Sequence, residues 1–226
     1  MTLKTELNKL FEEWEQKFPN YKGKFVKDGI LDEQLYQDAK TKILYITKDP
    51  NDPDQTSWDL ADLLNQSLEG NFAIRLAEWS YGILNDFPPL SSLTDYNALH
   101  QALRSTAVIN LKKIGGESQA KTDDIFSHTT QNKSYLQRQI KLISPEIIIG
   151  GVGDTKIWTL LFDDIDLIRS DYDILVGKWD NIMIVDYYHP SYQVPRAMSY
   201  SLLQNIFRCK TFADLRTKKA VLHNKA

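Results

Sequence analysis

The chain has 226 residues, of which 42% are hydrophobic and 25% charged, and its formal net charge is −3. This length and composition suffice for one full core and predict a single domain over residues 1–226. The only cysteine, Cys209, excludes a disulfide framework, a cysteine-rich zinc site and a four-cysteine iron–sulfur cluster. No apolar stretch approaches the ~20 residues of a membrane span, and no secretory signal is seen at the amino terminus, so we expect a cytoplasmic protein.

Short apolar runs alternate with helical patterns along the chain. Amphipathic spacing predicts helices at residues 3–18, 58–68, 74–84, 95–103, 134–143, 155–162 and 199–207. Apolar runs predict buried strands at residues 43–46, 107–109, 147–149 and 182–185. This alternation predicts a three-layer α/β/α fold around a central, mostly parallel sheet of four strands. Residues 1–40 are then an N-terminal helical extension, and residues 195–226 a basic C-terminal helix and tail.

Two further segments are polar or rich in glycine. Residues 115–132 contain many turn-forming residues and are predicted to form a mobile surface loop that includes His128. Residues 150–156 contain three glycines and a lysine, but their spacing matches neither the phosphate-binding loop of nucleotide hydrolases nor the dinucleotide fingerprint. The nucleophile elbow of a serine hydrolase does not occur in the sequence. A conventional kinase, dehydrogenase or esterase is therefore not expected.

Polar side chains and glycines follow the end of each predicted strand. They are Lys48, Asp49, Pro50 and Asn51 after the first strand, Asn110, Lys112 and Lys113 after the second, Gly150, Gly151 and Gly153 after the third, and His189, Pro190 and Ser191 after the fourth. Parallel strands place their carboxyl ends at one edge of a sheet, where ligands bind in open α/β folds. We therefore expect a carboxylate, an amide and an imidazole to converge on one cleft.

These strand-end motifs, in this order, resemble those of the uracil-DNA glycosylase superfamily. The resemblance covers roughly residues 42–207, and its specific part is confined to the strand ends. It implies that Asp49 activates water, that Asn110 reads the edge of a pyrimidine, and that His189 stabilises negative charge on the departing base. The first motif differs from the usual family pattern, because Lys48 replaces a glutamine or glutamate and Asn51 replaces the tyrosine that excludes thymine.

The chemistry of N-glycosidic bond cleavage suits these residue types. Cleavage produces an oxocarbenium-like sugar and an anionic base, which a carboxylate and a hydrogen-bond donor can respectively stabilise. A flipped base also needs a stacking aromatic ring and polar neighbours, for which Trp58, Pro50 and Asn51 are the candidates beside Asn110. The candidate contacts for phosphate or DNA are Lys48, Lys112, Gly151, Gly153, Ser191, Tyr192 and Arg196. No cofactor and no metal ion are expected, since the histidines show no metal-ligand spacing.

Positive charge is concentrated at the carboxyl end of the chain. From Pro195 onward there are seven basic residues and one acid, so this segment carries +6 and the remainder of the chain −9. The segment directly follows the His189 motif and is a candidate for holding a phosphate backbone near the site. The alternative is a solvated basic tail without a ligand.

Two functions are open at this point. The first is a monofunctional DNA glycosylase that flips uracil or another altered base out of DNA and hydrolyses its N-glycosidic bond, with Asp49 and His189 as the catalytic pair. The second is a non-catalytic protein that retains the fold and binds a nucleic acid or nucleotide. The net acidity and the altered first motif favour the second function, whereas the retained Asp49, Asn110 and His189 favour the first. In both cases we expect a monomer whose partner is DNA or a related nucleic acid, without membrane association.

Overall fold

The computed structural model describes residues 2–117 and 120–218, over which helices and strands alternate. The α-helices are α1 (Leu3–Lys17), α2 (Glu33–Asp38), α3 (Leu60–Gln66), α4 (Gly70–Leu84), α5 (Tyr96–Arg104), α6 (Thr122–Ile143), α7 (Lys156–Leu161), α8 (Arg196–Arg208) and α9 (Lys210–Thr217). The strands are β1 (Gly29–Ile30), β2 (Ile43–Thr47), β3 (Ala107–Asn110), β4 (Ile147–Gly150), β5 (Asp166–Arg169), β6 (Leu175–Trp179) and β7 (Ile182–Asp186). Each of the seven predicted helices is found, whereas α2 and α9 are additional to the prediction.

The strands form a single seven-stranded sheet in the order β1-β3-β2-β4-β7-β6-β5. The central strands β3, β2, β4 and β7 are parallel, and they are the four strands that the sequence predicts. Strand β1 pairs antiparallel with β3 at one edge, and β6 and β5 extend the sheet antiparallel from β7 at the other. The α/β class is therefore confirmed. The prediction of a mostly parallel sheet of four strands is wrong, because the sheet is mixed and has seven.

The three unpredicted strands lack the apolar runs that reveal the central four. Strand β1 contains only two residues, which is too short to show a periodicity. Strand β5 lies at the sheet edge and exposes both of its end residues, Asp166 and Arg169, to solvent. Strand β6 is interrupted by Gly177, where a Cβ would lie 2.8 Å from Cδ2 of Leu167 on β5. Exposed charge in β5 and a glycine in β6 weaken the pattern from which a strand is predicted.

Helices cover both faces of the sheet, so the central strands are buried on both sides. One face, which carries Tyr45 and Val108, packs against α3, α4, α5, α8 and α9. The other face, which carries Leu44 and Ile109, packs against α1, α6 and α7. Because side chains alternate between two buried faces, these strands are apolar throughout rather than at every second residue. Among the described residues, no helix has both the length and the apolar character needed to cross a membrane.

The amino-terminal segment is part of this core rather than an extension attached to it. Phe11 and Trp14 of α1 are buried against the sheet face that carries Leu44. The Trp14 indole donates a 2.6 Å hydrogen bond to Oδ1 of Asn132 on α6. Strand β1, which follows α1, then closes one edge of the sheet. The first helix and strand therefore contribute to the layer that supports β2 and β3.

The segment predicted to be a mobile loop, residues 115–132, is largely helical. Helix α6 begins at Thr122 and buries Ile125, Thr129 and Asn132 along one face before it reaches the predicted helix. The polar residues of this face do not appear in a hydrophobicity pattern. They can be buried because their hydrogen bonds are satisfied within the protein. The Thr129 hydroxyl, for example, donates to the carbonyl oxygen of Ile125 at 2.7 Å. Residues 118–119 lie outside the described residues.

A fully buried ion pair joins the amino-terminal segment to the end of β3. Lys113 Nζ lies 2.6 and 2.7 Å from the two carboxylate oxygens of Asp28, and both side chains are inaccessible to solvent. The same carboxylate accepts hydrogen bonds of 2.8 Å from the backbone N–H of Asn110 and from Nε2 of Gln139 on α6. Charges removed from water need such complete partners. The pair therefore holds β3, α6 and the chain before β1 together at the carboxyl edge of the sheet.

Removing one partner of this ion pair leaves the other charge buried without compensation. We expect Lys113→Met to lower the free energy of unfolding by about 3–5 kcal/mol, and the double variant Asp28→Asn/Lys113→Met to recover part of that loss. Urea unfolding followed by circular dichroism measures both changes. As a control, Asp173→Asn breaks the exposed Arg169–Asp173 pair and should cost less than about 1 kcal/mol. A loss for Lys113→Met no larger than that of the control would contradict the assigned role.

Candidate functional site

The carboxyl ends of the four parallel strands lie side by side at one edge of the sheet. Thr47 on β2 pairs with Asn110 on β3, and Gly150 on β4 pairs with Asp186 on β7. Strands β2 and β4 are themselves neighbours. The segments that follow these strands therefore emerge next to one another, at the edge where parallel sheets bind their ligands.

Asp49, shortly after the end of β2, faces the loop that follows β3. Its Oδ2 atom lies 2.2 Å from the point where a Cβ would stand on Gly116, so only glycine leaves room for the carboxylate. The N–H of Gly116 donates to the carbonyl oxygen of Pro50 at 2.9 Å, which joins the two loops. Burial raises the pKa of Asp49, and the ammonium groups of Lys112 and Lys48 oppose that rise.

A cavity of about 260 Å³ lies beside Asp49. Its other walls come from the loops after β2 and β3 and from the start of α6, and consist of Pro53, Gln55, Lys112, Gly115, Gly116, Glu117, Ala120, Lys121 and Asp124. Charged groups of both signs line this space. His189 is not among its lining residues, so the predicted carboxylate and imidazole do not share this cavity.

The positive charge of Lys48 acts on both Asp49 and His189. Its side chain runs toward the loop after β4, where Cε and Nζ each lie 3.0 Å from the position of a Cβ on Gly153. Gly153 has φ +81°, a left-handed conformation that favours glycine. The ammonium is close enough to affect the pKa of Asp49 on one side and that of His189 on the other.

The strand order explains this division of the site. Strand β3 lies on one side of β2, whereas β4 and then β7 lie on the other. Beyond the end of β2, Asp49 turns toward Gly116 in the β3 loop, and Lys48 turns toward Gly153 in the β4 loop. The expected single cleft is thus divided into two neighbouring halves, with the Lys48 ammonium between them.

His189 is held as a neutral imidazole. Burial, and secondly the charge of Lys48, lower the pKa of His189 from 6.5 to about 4. Its Nδ1 accepts a 3.2 Å hydrogen bond from the N–H of Ser191, which leaves the proton of the neutral ring on Nε2. The ring of Phe72 on α4 lies beside it, with centroids 5.9 Å apart. Among the described residues no group accepts a hydrogen bond from Nε2, so this N–H is available to a ligand.

Asn110, the predicted reader of a base edge, is engaged in the protein interior. The residue is only 3% exposed. Its Oδ1 accepts a 2.7 Å hydrogen bond from the Thr47 hydroxyl, and its backbone N–H donates to Asp28. The amide oxygen therefore serves the alignment of β2 with β3, and its role toward a base stays a prediction.

The aromatic residue beside the imidazole is not the predicted one. Trp58 lies in the extended segment before α3, where its indole Nε1 donates to Asp52 Oδ2 at 3.1 Å and its ring packs half-buried against the core. Phe72 instead stands next to His189. No sequence signal distinguishes Phe72 from the other apolar residues of α4. Of the other predicted base contacts, Pro50 is buried and Asn51 is exposed.

Close internal contacts account for the glycines after β4. A Cβ on Gly150 would lie 2.1 Å from the indole of Trp158, and one on Gly151 would lie 2.4 Å from Cα of His189. At Gly153 the positive φ and the Lys48 side chain act together. The absence of side chains at Gly151 and Gly153 is therefore explained without a phosphate, and their contact with one stays a prediction.

Arg75 of helix α4 binds the backbone of the loop that follows His189. Arg75, which is 7% exposed, donates from Nη1 to the carbonyl oxygen of Tyr192 at 2.9 Å and from Nη2 to that of Val194 at 2.7 Å. These bonds present the side chains of Ser191 and Tyr192 to solvent, where Tyr192 is 58% exposed. Both predicted contacts to DNA in this loop are thus accessible.

The basic carboxyl segment is not gathered at this site. Arg196 forms an ion pair with the buried Glu78, so its charge already has a partner. Arg208 and Arg216 line a cavity of about 530 Å³ that includes Ile147, the first residue of β4. That cavity lies at the amino-terminal edge of the parallel strands, away from His189. Two further basic residues of the segment, Lys219 and Lys225, lie outside the described residues.

Asp124 and His128, which the sequence does not assign to the site, lie on α6 near Asp49. Asp124 Oδ2 lies 2.6 Å from Lys112 Nζ, and Asp124 Oδ1 lies 3.5 Å from His128 Nε2. The prediction that His128 belongs to a surface loop is wrong, since its ring stacks on Tyr21 and its side chain is 15% exposed. The four-residue spacing of Asp124 and His128 is a helical signal, but it falls in the segment predicted to be a loop.

No protein-family model and no curated protein sequence matches the chain. Within the part of the chain that the structure describes, no group of three or more His, Cys, Asp or Glu side chains is arranged to hold a metal ion. The functional interpretation therefore depends on the geometry of the site and on the resemblance of its strand-end motifs.

The low pKa of His189 is directly measurable. We expect its ring to titrate near pH 4 in an NMR titration of the wild-type protein. In Lys48→Met the midpoint should rise because a positive charge is removed, but stay below 6.5 because burial is the larger cause. Lys156→Met removes an exposed lysine from the start of α7 and should leave the midpoint unchanged. A wild-type midpoint near 6.5 would contradict the assignment of His189 as a neutral donor.

Proposed function

We propose that this chain is a DNA glycosylase that hydrolyses the N-glycosidic bond of uracil or another altered base flipped out of DNA. The observation that carries the proposal is the state of His189, a half-buried neutral imidazole whose Nε2–H has no acceptor among the described residues. It lies at the same sheet edge as the half-buried carboxylate of Asp49. The resemblance of the strand-end motifs to the uracil-DNA glycosylase superfamily supports the same function.

The His189 half of the site suits the departing base. As the bond breaks, negative charge develops on a carbonyl oxygen of the base, and a fixed N–H donor stabilises that charge without giving up its proton. A ring whose pKa is about 4 is neutral at pH 7 and offers this donor from Nε2. Lys48 adds a positive charge nearby, and the ring of Phe72 offers an apolar surface for stacking. Donor, charge and aromatic ring together suit an anionic leaving group.

The Asp49 half of the site suits the sugar. A carboxylate orients the attacking water and offsets the positive charge of an oxocarbenium-like sugar. The cavity of about 260 Å³ beside Asp49 is large enough to hold water. In the proposed arrangement the base lies toward His189 and the sugar toward Asp49.

One observation favours a second function, that of a non-catalytic protein that binds a nucleic acid or nucleotide. The cavity that Asp49 lines does not include His189, and Lys48 lies between the two groups. A cation in this position suits a phosphate, and it weakens the carboxylate as a base. Binding at the edge without cleavage would follow from this geometry.

Release of bases from oligonucleotides that carry uracil, hypoxanthine or xanthine separates the two functions, with abasic sites as the readout. We expect the wild type to release at least one of these bases. The Asp49→Asn and His189→Gln variants should each be slower by about 10²–10³-fold, since each lacks one stabilised charge of the transition state. Asp54→Asn removes an exposed carboxylate from the same loop and should retain the wild-type rate.

Two outcomes would count against the glycosylase. Equal release by the wild type and by both site variants would show that Asp49 and His189 are not the catalytic pair. Salt-dependent oligonucleotide binding by the wild type, without release of any base, would instead support the non-catalytic function.

A further inference from the structure

Lys112 lies between two carboxylates. Its Nζ is 2.6 Å from Asp124 Oδ2 and 3.7 Å from the Cβ position of Gly116, a point that is itself 2.2 Å from Asp49 Oδ2. Lys112 is only 8% exposed, so the ammonium has little freedom to leave this place. Its single positive charge therefore acts on Asp49 and Asp124 together.

The second carboxylate oxygen of Asp124 faces His128, which belongs to a chain of polar side chains. This oxygen lies 3.5 Å from His128 Nε2. His128 Nδ1 lies 3.2 Å from the Tyr21 hydroxyl, which accepts a 2.8 Å hydrogen bond from Asn132 Nδ2. Burial lowers the pKa of His128, and a neutral ring that accepts the Tyr21 proton at Nδ1 carries its own proton on Nε2. With its Nε2 lying 3.5 Å from Asp124 Oδ1, the ring places a polar N–H beside the carboxylate oxygen that Lys112 does not bind.

The charged groups around Asp49 come from its own loop, from the loop after β3 and from the start of α6. They are Lys48, Lys112, Glu117, Lys121 and Asp124. Among the charges, Lys112 has the largest effect on the pKa of Asp49 and lowers it, while Asp124 comes next and raises it. Because these two residues are also bonded to each other, a change in one alters the effect of the other.

We propose that Lys112 and Asp124 are positioning residues that set the ionisation of Asp49. Lys112 favours the charged carboxylate, and Asp124 limits this effect because it binds the same ammonium. His128 lies beside the second oxygen of Asp124, with Nε2 3.5 Å away. The consequence for catalysis rests on the proposed function of Asp49, but the ionisation of Asp49 does not depend on any substrate.

An NMR titration of the Asp49 carboxyl carbon in the full chain tests this proposal. Asp124→Asn leaves Lys112 to Asp49 alone, so the midpoint should fall by about one pH unit, whereas Lys112→Met should raise it by about one. The matched control is Asp123→Asn, which removes the same charge from an exposed neighbour in the same helical turn and should shift the midpoint by less than about 0.2.

The opposite directions of the two shifts are the signature of the proposed coupling. A purely structural disturbance would not separate the two variants in this way. Shifts of the same sign, or an Asp124→Asn shift no larger than that of Asp123→Asn, would overturn the proposal. If Lys112→Met does not fold, Lys112→Gln removes the same charge with a polar side chain and is expected to shift the midpoint in the same direction.

The titration also distinguishes this proposal from the proposed function. If the midpoints shift in opposite directions but the wild type releases no base, the coupling holds and the glycosylase proposal fails. If base is released but the midpoints do not shift, the glycosylase proposal holds and the coupling fails. When both hold, the acidic limb of the pH–rate profile should move with the Asp49 midpoint in each variant.

Discussion

The buried ion pair between Asp28 and Lys113 sets the geometry of the carboxyl edge of the sheet. It anchors the end of β3 to the chain before β1 and, through Gln139, to α6. Lys112 and Lys113 are consecutive residues. Lys113 binds the Asp28 carboxylate in the interior, whereas Lys112 lines the surface cavity beside Asp49. The interaction that stabilises the core thus also determines where the cation beside Asp49 lies.

The central strands could be predicted because both of their faces are buried, which leaves runs such as residues 147–149 without a polar residue. Strands β5 and β6 could not, since edge exposure and Gly177 remove that pattern. The start of α6 was hidden for a related reason. Its buried Thr129 and Asn132 are polar, and only the folded structure supplies the partners that make their burial favourable.

In the candidate site, too, the sequence predicts the positions of residues along the strands but not the tertiary contacts of their side chains. Convergence of the strand ends follows from parallel pairing, so the sequence suffices to place Asp49 and His189 at one edge. The direction of each side chain depends on its neighbours. Asn110 turns to Thr47, and Asp49 turns away from the His189 half of the site. Phe72, Asp124 and His128 come from helices whose approach to this edge no local pattern records. The result is a site of two halves, in which Lys48 and Lys112 both favour the charged form of Asp49.

In the proposed function, a base binds against His189 and Phe72 at this edge of the sheet. NMR of labelled Asp49→Asn protein, in which turnover is slowed, with a short oligonucleotide that carries one uracil tests this binding. We expect the largest chemical-shift changes at His189 Nε2 and at the Phe72 ring, with smaller ones at Lys48. Changes confined to the opposite edge, around Arg208 and Arg216, or no change at His189 in a saturated complex, would contradict this binding.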